Sequence, residues 1–303
     1  DDANRVIDQF PFISNAYNVR GSIFWEAGMA AKALEDFDRT VNLEDTNKTA
    51  YLNRGVAYLE QGDSGLDKAL IDFNTVLDLN PDSADAYLYR GIVFMKKKLY
   101  DKARKDFRRA TSLDPLNSQA YNRIGVIYWE QGALAEALYH YDKAIKINPE
   151  NSRAYRNRGE VLKKKGDYSK ALEDFNNALQ IKPNSSEGYL SRGMLYLNRP
   201  DPDIVKSLTD IDKAIDLNPG YSEAYSARAI IYNQKKEYKL VIADLNRVID
   251  NDPNNSIAYN NRGVAHWGNG NSEQAIKDLK KALELNPESI QTTRNLSSIQ
   301  KPD

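Results

Sequence analysis

From Tyr17 onward the chain repeats one hydrophobic pattern. A Tyr recurs at positions 17, 51, 87, 121, 155, 189, 225 and 259, every 34 residues apart from two steps of 36. Four residues after each Tyr stands Gly21, Gly55, Gly91, Gly125, Gly159, Gly193, Ala229 or Gly263. Every period but the first closes with an apolar stretch and a Pro, as in Asp-Leu-Asn-Pro81 and Lys-Ile-Asn-Pro149, and the first has Asp45 in that slot. Within the fourth period Tyr121, Gly125 and Tyr128 fall at i, i+4, i+7, one face of a helix. Ala137, Tyr141 and Ala144 form a similar face on a second helix, and Gly125 facing Ala137 would let the two approach closely. Gln131-Gly132 ends the first helix, and Pro149 follows the last turn of the second. The pattern predicts at least sixteen helices in eight antiparallel hairpins, with no strands.

Turn-rich insertions at Gly62-Asp63-Ser64-Gly65 and Arg199-Pro200-Asp201-Pro202 account for the two longer steps and lengthen loops without breaking the stack. After Pro287, the polar stretch Ile290 to Ile299 reads as a helix shielding the final hairpin. Pro11, preceded by Val6, Ile7 and Phe10, reads as the end of a preceding, truncated copy. The recurring set resembles the tetratricopeptide repeat over roughly Ser14 to Ser289. That resemblance implies an all-α, right-handed superhelical solenoid. Its expected bounds are 14–47, 48–83, 84–117, 118–151, 152–185, 186–221, 222–255 and 256–289. Residues 1–13 would be the truncated copy, and 290–303 the capping helix and tail. One hairpin cannot bury its apolar face alone, so copies must stack.

A charged pattern rides on the repeat. Arg20, Arg54, Arg90, Arg158, Arg192, Arg228 and Arg262 precede the Gly slot. Asp36, Asp72, Asp106, Asp174, Asp210, Asp244 and Asp278 stand on the second helices of the same copies. The fourth copy has Ile124 and His140 instead, so both partners vanish together. The joint loss predicts an ion pair within each of the other hairpins. Arg suits such a semi-buried clamp because it can bind a carboxylate through two hydrogen bonds.

Composition narrows the function. The 42 Lys and Arg against 43 Asp and Glu leave a net charge of −1, which disfavours a nucleic-acid binder. Cysteine is absent, which removes thiolate chemistry and Cys-held metals. Only two histidines occur: His266 in an aromatic packing slot and His140 in the ladder. No phosphate loop, metal-spaced His pair or Ser/His/Asp set appears, so neither an enzyme nor a cofactor is expected. No apolar run is long enough for a membrane span. The first residue is Asp, which fits a processed form or a piece of a longer protein. The compartment stays open between cytoplasm and export after loss of a signal peptide.

The resemblance also implies a concave groove lined by a second stripe of the first helices. Its slots hold Trp25, Leu59, Met95, Trp129, Lys163, Leu197 and Trp267, and, one residue after the Gly, Ile92, Val126 and Met194. All three tryptophans share one slot. Arg153, Arg156, Asn157 and Lys163 make the fifth copy basic, with Arg123 beside it. A partner protein or peptide would lie here, held by the aromatic anchors and by Arg or Lys on its acidic groups. Packing between neighbouring first helices would explain the apolar members equally well. Cations near helix ends offset the helix dipole and would explain Lys163. The expected function is a scaffold or adaptor. The alternative is the targeting or regulatory region of a larger protein, such as an enzyme. Self-association through the open N-terminal end would complete the partner set.

Overall fold

The computed structural model describes residues 2–300; Asp1 and the expected tail Lys301-Pro302-Asp303 lie outside the described residues. Among the described residues there are eighteen α-helices, one short 3-10 turn and no strand. They fall into two compact units divided after Ala154.

The first unit opens with α1 (Asp2–Gln9) and continues in four hairpins. These are α2 (Ser14–Glu26) with α3 (Ala30–Leu43), α4 (Lys48–Glu60) with α5 (Leu66–Leu79), α6 (Ala84–Lys96) with α7 (Tyr100–Leu113), and α8 (Ser118–Glu130) with α9 (Leu134–Ile147). Helix α10 (Ser152–Lys164) starts at the division, and α11 (Tyr168–Ile181) follows it in the second unit. There α12 (Ser186–Asn198) pairs with α13 (Ile204–Leu217), α14 (Ser222–Gln234) with α15 (Tyr238–Asn251), and α16 (Ser256–Gly268) with α17 (Ser272–Leu285). The last helix, α18 (Ile290–Gln300), packs on α17 and touches α16.

Local chemistry sets the helix ends. Asn47, Ser83, Asn117, Ser185 and Asn255 each cap a first helix by accepting from the backbone N–H three residues on. First helices end where Gly28, Gly132, Gly166 and Gly270 take φ of 74° to 82°, a left-handed turn that costs Gly nothing. Lys98 and Lys236 occupy that same turn at φ 59°. The first insertion forms the 3-10 turn Gly62–Gly65, and a Cβ at Gly65 would fall on the Tyr58 carbonyl oxygen. In the second insertion Asp203 caps α13 through the Lys206 N–H.

The core of each hairpin is a close approach at the recurring glycine. The nearest side chain to Gly125 stands on the same second helix as Ala137. A Cβ on Gly125 would lie 2.5 Å from the Tyr141 ring, one helical turn beyond the buried Ala137. Phe37, Phe73, Phe107 and Phe175 cover Gly21, Gly55, Gly91 and Gly159 in the same way. The small residue thus makes room for a ring, and at Gly193 and Gly263 the backbone oxygens of Ser207 and Ala275, in the Ala137 slot, would also lie 3.1 Å from a Cβ. Beyond Phe175 the covering side chain becomes Ile211 over Gly193 and Leu279 over Gly263.

Candidate partner-binding face

The structure brings each ladder Arg against the Asp of its own hairpin. Arg90 donates from Nε and Nη2 to the two carboxylate oxygens of Asp106 at 2.7 and 2.9 Å. Arg20, Arg54, Arg158, Arg192, Arg228 and Arg262 repeat this fork on Asp36, Asp72, Asp174, Asp210, Asp244 and Asp278. All seven carboxylates are buried. Their hydrogen bonds raise the pKa of Arg20, Arg90, Arg192 and Arg228 above the ordinary value. Burial pushes the Asp72 carboxyl up, against the pull of Arg54.

A third arm was missed in the sequence. Arg54 Nη1 donates to Asp38 at 2.7 Å, Arg90 to Asn74 at 2.9 Å, and Arg192 to Asn176 at 2.8 Å. Arg228 reaches Asp212 and Arg262 reaches Asn246 in the same way, while Arg20 reaches Asn4 of α1. Every acceptor lies on the preceding second helix, or on α1, so these arginines also staple neighbours together. The signal is an acceptor two residues after the ladder Asp. It fails twice, at Arg108, immediately ahead of the copy that lacks its Arg, and at Lys280, in the last hairpin.

The expected groove residues divide by burial. Leu59, Ile92 and Leu197 are buried in the cores and belong to the packing rather than to an accessible face. Met95 and Met194 are half-buried against those cores, and Val126 is half-buried as well. Trp25 is half-buried beside Phe37 and walls a cleft of about 300 Å³ with Asn53, Val56 and Tyr89. Trp129 is half-buried and Trp267 is 47% exposed. Lys163 pairs with Glu160, so its charge is already engaged. Arg156 and Asn157 are half-buried, and Arg153 is exposed.

Arg123 is the exception among the buried arginines. Its Nε is buried without a hydrogen-bond partner. Burial, and then the like charge of Arg153, push its pKa down, whereas the ladder arginines are pushed up.

Tetratricopeptide-repeat family models match residues 52–115 and 99–152, and again 152–185 and 256–289, which is more than half of the chain. The chain belongs to the tetratricopeptide-repeat family. No curated protein gives a significant match to the sequence. Solved structures do match. A chain of the APC/C hetero-tetramer Cut9–Hcn1 aligns with TM-score 0.74 at 16% identity, covering 99% of this chain and 60% of that one. This chain therefore spans less than two thirds of that relative's length. The human IFIT1 dimer with m7Gppp-AAAA aligns with TM-score 0.67 at 16% identity, covering 98% and 83%. Identities this low show the fold alone. The tetratricopeptide fold is a protein-interaction scaffold, typically without catalysis. Among the described residues no helix is long and apolar enough to cross a membrane.

The fourth tetratricopeptide hairpin fills its missing ion pair with rings. His140 stacks on Tyr128 at 5.4 Å between centroids and on Tyr121 at 6.2 Å, and Tyr139 meets it edge-on at 5.1 Å. Burial first, then Lys143 and Arg108, push the His140 pKa down to about 4. Arg108 donates to the Tyr128 hydroxyl at 3.2 Å, so this joint is bridged by a different bond, running in the opposite direction.

Proposed function

We infer that the chain is a scaffold that holds an extended or helical segment of a partner protein along the face carried by its first helices, without catalysing a reaction itself. Arg123 carries this reading. A buried guanidinium with a like-charged neighbour raises the free energy of the unbound fold, and an incoming carboxylate relieves it. An acidic group of the partner is therefore the expected occupant, with the half-buried Trp25 and Trp129 of the same unit as apolar contacts. Both histidines have structural surroundings: His140 lies in the tyrosine stack and His266 lies 3.9 Å from Asp278.

The test compares wild-type and Arg123→Met chains in affinity purification, then titrates each with the recovered partner segment. The variant should be more stable by about 1 kcal/mol, because an uncompensated buried charge is gone. It should also bind about tenfold or more weakly, through loss of a charge-assisted hydrogen bond. A variant that is less stable, or that binds unchanged, would overturn the assignment.

A further inference from the structure

Each joint between hairpins is built from three slots: an acceptor on the preceding second helix or on α1, the ladder Arg, and the Asp of its own hairpin. Asn4, Arg20 and Asp36 make a neutral joint, as do Asn74, Arg90 and Asp106. Asp38, Arg54 and Asp72 set two carboxylates against one guanidinium, as do Asp212, Arg228 and Asp244. The joint between the third and fourth hairpins holds Arg108, Ile124 and His140 instead. Its carboxylate is gone, and a guanidinium stands in the acceptor slot. With His140 neutral, this joint carries a net positive charge where the others are neutral or negative.

Two further cations stand at the same seam of α7, α8 and α9. Arg104, one turn before Arg108 on α7, lies 6.0 Å from the centroid of the Tyr128 ring, whose hydroxyl accepts from Arg108. Lys143, on α9, lies 5.2 Å from the centroid of the Tyr121 ring and 4.8 Å from that of Tyr139. Tyr121, Tyr128 and Tyr139 are the rings around His140, so the cations border one aromatic patch. The charges of Arg108 and Lys143 both reach His140, and its Nδ1 is buried without a hydrogen-bond partner. Tyr139 and Arg108 are exposed, so the patch opens to solvent. Two carboxylates compete for these cations. Asp101 accepts from Arg104 at 2.8 Å, and the exposed Glu136 takes the slot in which Lys32, Lys68 and Lys102 lie over a ring of the first helix.

The two oxygens of a carboxylate match one guanidinium fork and leave the other cations of this seam unmet. A phosphate monoester brings three terminal oxygens and nearly two charges, one oxygen for each cation. We propose that the seam of α7, α8 and α9 binds a phosphate monoester, with Arg104, Arg108 and Lys143 on its oxygens and the Tyr139 ring beside the group that carries it. All three cations stand on second helices, so this site is separate from the first-helix face and from Arg123.

The test follows the ring signals of His140 by NMR in the full chain, with His266, beside Asp278 in the second unit, as internal control. The probes are blocked phosphoserine, adenosine monophosphate and blocked glutamate, each compared with sodium chloride at matched ionic strength. Both phosphates should move the His140 signals at millimolar concentration and leave His266 in place. They should also raise the His140 pKa above about 4, because a nearby anion favours the imidazolium. The tighter of the two names the carrier of the phosphate, a modified side chain or a nucleoside. Arg108→Gln and Lys143→Gln should each weaken binding about tenfold, and Glu136→Gln should strengthen it. Arg108→Gln also breaks the bond to Tyr128, so Lys143→Gln decides if the former lowers the melting temperature. Arg123→Met should leave phosphate binding unchanged, which separates this site from the partner-binding face. The proposal is overturned if neither phosphate moves the His140 signals, if glutamate or chloride moves them as far, or if Lys143→Gln binds phosphate unchanged.

Discussion

Arg90 has a side chain one-fifth exposed, with Nε and Nη2 spent on Asp106 and Nη1 on Asn74. Arg90→Met would strand the buried Asp106 carboxylate and is expected to cost about 3 kcal/mol or more. Replacing Arg90 and Asp106 together by Met and Leu should cost less, since no lone charge remains; equal losses in urea denaturation would count against this. The intra-hairpin pair was legible because Ile124 and His140 replace both partners in one copy. The third arm was not, because its acceptor column mixes Asp38 and Asn74 with Arg108 and joins different copies. His140 supplies a pH test. Its folded pKa of about 4 lies below the ordinary 6.5, so the fold binds the neutral ring. That contribution is whole above pH 6.5 and is lost as pH falls toward 4. Between those limits the wild type should lose about 2 kcal/mol more stability than His140→Phe, as read from paired denaturation curves. Parallel curves would show that the ring is solvated.

Among the helices, positions and pairings were legible because Tyr, Gly and Pro mark three points of nearly every period, with Ala229 and Asp45 as the exceptions. The turn between paired helices was less so. Lys98 and Lys236 adopt the left-handed turn that Gly28, Gly132, Gly166 and Gly270 adopt elsewhere, and nothing in Lys96-Lys97-Lys98 announces it. A side chain in that region is strained, so Lys98→Gly should stabilise the protein by about 0.5–1 kcal/mol. An unchanged or lower midpoint in thermal melting would show that the lysine stem recovers the strain through packing. The face of the first helices was legible only in part. An apolar residue in the stripe suits both a groove and a seam between hairpins, and burial alone assigns Leu59, Ile92 and Leu197 to the seam.

For the molecule as a whole, periodicity showed the class of fold and the lack of familiar catalytic signatures. It was silent on the cationic seam, because Arg104, Arg108 and Lys143 occupy three different slots of the repeat on two helices. The third arms of the ladder give the chain a direction. Each of these arginines reaches toward the N-terminus, so a hairpin leaving the ribosome finds its acceptor already made. Shortening the chain hairpin by hairpin from the C-terminal side removes guanidiniums along with their helices and leaves only acceptors bare. Shortening it from the other side exposes a guanidinium stripped of its acceptor at each joint that carries a third arm. Within the second unit, deletion of α12 and α13 together with all that precedes them should thus lower the melting temperature of the remainder, because Arg228 keeps Asp244 but loses Asp212. The exception is the joint bridged by Arg108 and Tyr128, where the bond points forward and the helix already made waits for the one to come.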